Sequence, residues 1–276
     1  MYKIVEKTML TPHVTKMVIF APYITKHAEV GQFVMIRVEE QGERIPLTLA
    51  DFNREQQTIT LIFQVVGRTT YLLNQLNEGD DLLDCAGPLG KPSHLDGLKK
   101  VLLVGGGLGC AILFPIAQKL SQNQTELTTI IGFKSQSFVF LENEFKHISH
   151  TFHVLTDDGS YGNKGFVTNA LIDILNHDTT FDEVIAIGPI PMMKAVSEVT
   201  RPYGIKTIVS MNPVMVDGTG MCGGCRVKVD NKIQFACVDG PEFDGHLVNF
   251  DDVQKRNQMY KEQEDQAYKD ICRGVK

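Results

Sequence analysis

Half of the chain's six cysteines stand in one short stretch, Asp217-Gly-Thr-Gly-Met-Cys222-Gly-Gly-Cys225, completed by Cys237 in Gln-Phe-Ala-Cys-Val-Asp-Gly. Written as spacing, this is Asp-x4-Cys-x2-Cys-x11-Cys, the plant-type arrangement for a [2Fe–2S] cluster with aspartate at the place of the first cysteine. The intervening glycines carry no Cβ, so the backbone can close around a bound group and approach it with its amides. Asp217, Cys222, Cys225 and Cys237 are therefore the candidate metal ligands. Zinc is the competing metal, but structural zinc usually draws its ligands from two separated pairs and only one Cys-x-x-Cys is present. Disulfides compete less well. The start of the chain lacks the basic segment and apolar stretch of a secretory signal, so the expected location is the reducing cytoplasm, where thiols serve metals or catalysis. Cys85, Cys110 and Cys272 stand alone and read as ordinary buried thiols. Should Asp217 only hydrogen-bond the loop, Asp230, Asp239, His246 or water would have to complete the ligand set.

The rest of the chain must position this loop. With 276 residues and 43% hydrophobic content, it is long enough for two packed cores and a small appendage. A net charge of −6 supplies no basic stripe for phosphates, which argues against nucleic acid. No apolar run reaches the length of a membrane span. Val14 to Phe20, Gln32 to Val38 and Ile59 to Val65 alternate at period two between glycines, which predicts an antiparallel sheet or barrel. Gly87-Pro88-Leu-Gly90-Lys-Pro92 cannot continue a strand or helix and ends that region. From Val101 short apolar runs alternate with helical patterns, at Val101–Val104, Leu127–Phe133, Phe152–Thr156, Val184–Ile187 and Thr207–Val209, which predicts a doubly wound parallel sheet. The expected fold is thus β plus α/β: an antiparallel barrel over 1–97, a parallel-sheet nucleotide domain over 98–210, a cluster subdomain over 211–250 and a C-terminal helix over 251–276. In that helix Val253, Tyr260, Ala267 and Ile271 form a thin apolar stripe, with Asp251 and Asp252 at the positive end, suited to packing on its own domain or on a partner.

Three turns at the carboxyl ends of the predicted strands carry the nucleotide chemistry. Gly105-Gly-Gly107-Leu-Gly109 follows the first strand, and the helix after it offers N–H groups and a positive dipole end to a pyrophosphate. By itself such a turn is often only a turn, and it is not the full Rossmann fingerprint. Asp157-Asp158-Gly-Ser and Gly188-Pro189-Ile-Pro-Met192-Met193 lie at the same edge, where open α/β sheets bind ligands. Acidic residues accept the ribose hydroxyls of NAD and repel a 2′-phosphate, so Asp157 and Asp158 favour NAD. Lys134 and Ser135 leave NADP open.

With Arg44-Ile-Pro46-Leu47-Thr48 in the barrel, the Gly-Gly-Gly-x-Gly turn and Gly-Pro-x-x-Met-Met, the chain resembles the ferredoxin reductase-like flavoproteins. The cysteine segment narrows the resemblance to the electron-transfer subunits of dihydroorotate dehydrogenase. It narrows it further to the small subunits of NADH-dependent ferredoxin:NADP oxidoreductases, also known as sulfide dehydrogenase subunits. The dihydroorotate type places a cysteine where this chain has Asp217, and the aspartate-plus-three-cysteine set is similar to the ferredoxin:NADP type.

The resemblance implies an oxidoreductase with bound FAD, a [2Fe–2S] cluster and NAD(H) as substrate, NADP(H) being the alternative. Arg44 and Thr48 are then expected at polar groups of the flavin, Pro46 and Leu47 beside its ring, and Gln64, Thr69 and Thr70 near its pyrophosphate. Gly105, Gly107, Gly109, Asp157, Asp158, Gly188, Pro189 and Met192 are expected at the nicotinamide nucleotide. Cys110 faces that site without a redox role. Electron pairs from NADH would leave as single electrons through the cluster. The chain holds too few cysteines for the [4Fe–4S] clusters of ferredoxin chemistry, so a larger flavin/iron–sulfur partner forming a heterodimer is implied, with ferredoxin reached through it. No Ser-His-Asp set, carboxylate pair or histidine cage points to hydrolysis. Two readings of other kinds stay open: a stand-alone NAD(P)H reductase, and a non-enzymatic protein with a zinc-clipped C-terminus.

Overall fold

The alternating segments fold as expected, and one strand shows how the alternation is used. In β3 (Phe33–Arg37), Val34 and Ile36 face the interior of the first sheet, while Phe33 and Met35 face a second core shared with the rest of the chain. The protein is described by a computed structural model over residues 2–273. Up to Leu89 it forms an antiparallel, nearly closed barrel of seven strands. These are β1 (Tyr2–Thr11), β2 (Val14–Phe20), β3, β4 (Ile45–Asn53), β5 (Thr58–Gln64), β6 (Asp81–Leu82) and β7 (Asp84–Leu89), in the spatial order β6-β1-β2-β5-β4-β3-β7. Helices α1 (Pro22–His27) and α2 (Arg68–Gln75) connect them. The period-two reading did not reveal β1, because bulges at Ile4/Glu6 and Met9/Thr11 break its alternation.

From Lys100 the strands are parallel, and those in the middle of the sheet are buried and largely apolar, as covering on both faces requires. They are β8 (Lys100–Gly106), β9 (Glu126–Phe133), β10 (Thr151–Thr156), the short β11 (Asn163–Lys164), β12 (Glu183–Ile187) and β13 (Thr207–Ser210). Between them lie α3 (Gly109–Gln122), α4 (Glu142–Ile148), α5 (Val167–Leu175) and α6 (Ile190–Thr200). The order β11-β10-β9-β8-β12-β13 reverses between β8 and β12, the topological switch point of a doubly wound sheet. The cysteine region follows, with the hairpin β14 (Arg226–Val229) and β15 (Lys232–Phe235). It does not stand apart from the sheet: β16 (Glu242–Asp244) pairs antiparallel with β13 and becomes its edge strand.

The tail departs from expectation. Instead of one helix over 251–276 there are two, α7 (Phe250–Asn257) and α8 (Lys261–Cys272); residues 274–276 of the expected helix lie outside the described residues. The stripe serves two separate surfaces. Phe250 and Val253 of α7 sink into the core around β13 and β14, whereas α8 leans on α2, with Tyr268 edge-on to Tyr71 at 6.3 Å. Tyr260, between the two, is half exposed. Asn249 caps α7 by accepting the Asp252 N–H at 3.0 Å. Among the described residues no helix is long and apolar enough to cross a membrane.

Candidate nucleotide cleft and cysteine loop

The β8 and β12 turns meet at the switch point so closely that side chains are excluded. A Cβ on Gly109 would run into the Ile187 carbonyl, and one on Gly106 into the Met192 sulfur. The N-terminus of α3 thereby borders a cleft of about 790 Å³ between the sheet's carboxyl edge and the barrel. Barrel strands supply Pro46, Leu47, Thr48 and Gln64, and the sheet supplies Gly107, Gly109, Asp157, Gly188, Pro189 and Met192. Ten of the expected residues thus line one cavity, although they come from both halves of the chain.

Others lie off its wall. Arg44 is partly exposed and donates through Nη2 to Asp84 Oδ2 at 2.9 Å. Thr70 closes the start of α2, its hydroxyl oxygen accepting from the Val66 and Gly67 amides at 3.0 Å. Thr69 is buried, and its hydroxyl has no partner among the described residues. Gly105 packs under Cys110 and Leu113. Asp158 accepts from the Ser160 amide and hydroxyl at 2.9 and 2.6 Å, and these bonds hold its carboxyl below the usual range. Of the two residues that left NADP open, Lys134 lines the cleft, while Ser135 shares a 3.0 Å hydrogen bond with Ser137. Cys110 is fully buried, and burial pushes its thiol well up, which keeps it inert.

Sequence reasoning missed much of the cleft's apolar wall, including Phe133, Phe138, Phe166, Met211, Met215 and Pro241. Phe138 is stacked on His13 at 4.5 Å, which ties the sheet's side of the cleft to the barrel. Met215 and Pro241 flank the cysteine segment, so the cleft ends against it.

The long gap between Cys225 and Cys237 is a hairpin. Asp230 and Asn231 take positive φ values of 47° and 59° at its tip, as a two-residue turn that matches strand twist requires. Arg226 pairs with Phe235, the Ala236 N–H donates to the Cys225 carbonyl at 3.1 Å, and the two thiols come to 3.1 Å. Both are buried, and burial, then the Cys225 neighbour, push Cys237 up to about 12. Cys222 stands exposed on the glycine-rich turn, where the Gly224 N–H donates to its sulfur at 3.3 Å. Gly218, Gly220 and Gly223 all adopt positive φ, and Gly218 is pressed onto Met35 and Leu89 of the barrel.

Asp217 accepts from the Thr219 amide through Oδ1 and from the Cys222 amide through Oδ2, both at 2.8 Å. These bonds, Thr219 first, hold the carboxyl below its ordinary range. The three cysteines and Asp217 do not close into a finished cage among the described residues. The donor set nevertheless fits a thiolate-bound cluster: two adjacent sulfurs at the base, a third on a turn without side chains, and an ionised carboxylate whose remaining lone pairs are free. Two of the alternative ligands are engaged elsewhere. Asp239 accepts from Phe235 N at 2.8 Å, and His246 Nε2 lies 3.0 Å from Thr200 Oγ1.

Residues 212–249 match the sequence model of the iron–sulfur cluster binding domain of dihydroorotate dehydrogenase B. Over 96% of this chain and 94% of its relative, the sequence is 47% identical to a homolog of the dihydroorotate dehydrogenase B (NAD(+)) electron transfer subunit from Thermotoga maritima. The corresponding subunit of Bacillus pumilus is 33% identical over 89% of this chain and 96% of its own length. The chain belongs to the dihydroorotate dehydrogenase B electron transfer subunit family. A chain in the solved structure of the NADH-dependent reduced ferredoxin–NADP oxidoreductase superposes with a TM-score of 0.92, at 45% identity, covering 99% of this chain and 98% of that one. This member of the family is therefore an oxidoreductase component of ferredoxin reductase-like fold. The cofactor set expected from its sequence, FAD, a [2Fe–2S] cluster and NAD(H), agrees with that membership.

Proposed function

We propose that this chain takes electrons from NADH at FAD, or returns them, and exchanges single electrons through a [2Fe–2S] cluster with a larger flavin/iron–sulfur partner in a heterodimer. Ferredoxin would be reached through that partner, as in an electron-bifurcating ferredoxin:NADP oxidoreductase. The observation that carries this reading is the single cleft that joins Pro46–Thr48 and Gln64 of the barrel to the switch-point glycines and ends at Met215 and Pro241 beside the cysteines. When bound, the flavin supplies conversion between hydride and one-electron transfer, and the cluster supplies one-electron storage. The chain's own residues position and exclude. Thr48 and Gln64 offer polar atoms to the flavin, with Pro46 and Leu47 packed beside it. The unpartnered Thr69 hydroxyl is a further donor on the barrel side. Gly107, Gly109, Gly188 and Pro189 let the nicotinamide nucleotide lie against backbone, Met192 packs on it, and Asp157 reads its ribose. The apolar walls of Phe133, Phe138 and Phe166 keep water from the reacting faces. Cys222, Cys225, Cys237 and Asp217 hold the cluster.

Exit toward a partner is supported by the surface around Cys222. Met221 is 89% exposed and Val216 57%, which puts two apolar side chains on the surface beside the exposed Cys222. Anaerobically purified protein should carry about one FAD and two irons with acid-labile sulfide per chain, and NADH should bleach its flavin absorbance. Stoichiometric zinc without iron would overturn the cluster, and a colourless protein the flavin.

A further inference from the structure

We infer that Arg256, in the tail helix α7, is a positioning residue for the cysteine loop, and that its charge raises the reduction potential of the cluster held there. The inference rests on the proposed cluster at Cys222, Cys225 and Cys237.

The Arg256 guanidinium donates through Nη2 to the Gly224 carbonyl at 3.0 Å. Gly224 is the residue between the two cysteines of Cys-Gly-Gly-Cys that joins directly to Cys225. Its own N–H is the one that donates to the Cys222 sulfur. One glycine is thus gripped from both sides, by a thiol at its amide and a guanidinium at its carbonyl. Because a trans peptide points C=O and N–H in opposite directions, fixing the Gly224 carbonyl on Arg256 also fixes which way the Cys225 amide faces.

The next residue extends the grip. Asn257 accepts from Val214 N and donates to the Asn212 carbonyl, both at 3.2 Å. The end of α7 therefore holds the segment just before Asp217 and again between Cys222 and Cys225. The helix is anchored in turn by buried Phe250 and Val253 and by the 2.8 Å ion pair between Asp251 and Lys194 of α6.

Arg256 is only partly exposed, and its Nε is buried without a hydrogen-bond partner among the described residues. A guanidinium held in that way is weakly screened, and one carbonyl is a small return for its desolvation. A cluster bound by three thiolates and a carboxylate is anionic and gains a further negative charge on reduction. A fixed, half-buried cation at the loop lowers the free energy of the reduced state more than that of the oxidised one.

The neighbouring Lys255 gives a control. It carries the same charge one residue away but is exposed to solvent, where screening removes most of its influence. A general helix-end role for basic residues on α7 predicts similar effects at both positions; a loop-specific role predicts an effect at Arg256 alone.

The test is an EPR-monitored redox titration of the full-length, cluster-loaded protein and its Arg256→Gln, Arg256→Lys and Lys255→Gln variants, with iron and sulfide measured in each. Arg256→Gln is expected to lower the one-electron reduction equilibrium about tenfold, a shift of about 59 mV, and to speed iron loss to a chelator. Arg256→Lys should stay within about twofold of the parent equilibrium, and Lys255→Gln should match the parent. If Arg256→Gln leaves both potential and iron retention unchanged, or if Lys255→Gln shifts the potential equally, the assignment is wrong. Absence of iron and sulfide in the parent would overturn the cluster reading itself, a separate outcome.

Discussion

Glu242 offers a quantitative test of how the barrel is fastened to the sheet. It lies on β16, two residues after the Gly240 carbonyl that accepts the Lys91 amide at 2.7 Å, and its Oε1 accepts the Ser93 hydroxyl at 2.6 Å. Burial, with a smaller push from Glu183, raises its carboxyl from 4.5 to about 7, against the lowering effects of the Ser93 hydrogen bond and Lys206. The native state therefore binds this proton more tightly than the unfolded chain. Its contribution to stability is full below the unfolded value and is lost as pH rises from about 4.5 to about 7, after which it is flat. The interval of 2.5 units between 4.5 and 7 corresponds to about 3 kcal/mol at 1.36 kcal/mol per unit. Glu242→Gln keeps the shape and an acceptor for Ser93 but cannot ionise. Urea unfolding followed by circular dichroism at pH 5 and pH 8 should show the variant gaining about 2 to 3 kcal/mol on the parent between the two conditions. Glu183, also raised chiefly by burial, remains in both proteins, so the difference reports Glu242 together with its coupling to Glu183. Parallel stability curves would show that Glu242 is already ionised, or hydrated, in the native seam.

Two further outcomes test the site. Asp157 lies exposed on the cleft wall, so Asp157→Asn should narrow the preference of flavin reduction for NADH over NADPH about two- to fivefold, the worth of a screened charge. Equal stopped-flow rates for both nucleotides in the parent, or an unchanged ratio in the variant, would refute that role. Asp217→Cys replaces a hard oxygen donor by thiolate and should keep the cluster while lowering its one-electron reduction equilibrium at least about tenfold, or ~59 mV, with an altered EPR spectrum. Because the variant also loses the acceptor for the Thr219 and Cys222 amides, an unchanged spectrum accompanied by faster iron loss would mean that Asp217 only braces the loop.

What the sequence made legible follows from where the physics is local. The strands β8, β9 and β12 are buried on both faces, so they read as short, mostly apolar runs. Bulged β1 has no such signature, because each extra residue inverts the faces that follow it. A motif also names a residue type without saying where the side chain finds its partner. Arg44 precedes β4 in the expected stretch, yet Asp84 on β7 claims its guanidinium, and Thr70 spends its hydroxyl on the start of its own helix. The cleft's aromatic wall was hidden for the same reason: Phe138 and Phe166 lie in connections whose position depends on tertiary contacts.

The cysteine loop is the opposite case, since its spacing encodes its geometry directly. Eleven residues between Cys225 and Cys237 accommodate two short strands and the Asp230-Asn231 turn, which returns the second sulfur to the first. The glycines before Cys225 leave the third sulfur on a backbone that other residues would strain. The clamp by α7 was not encoded locally. Arg256 lies 32 residues beyond Gly224, on a charged segment whose thin apolar stripe predicts packing but not this contact, and the burial of Phe250 and Val253 with the Asp251–Lys194 ion pair anchors the helix that carries it.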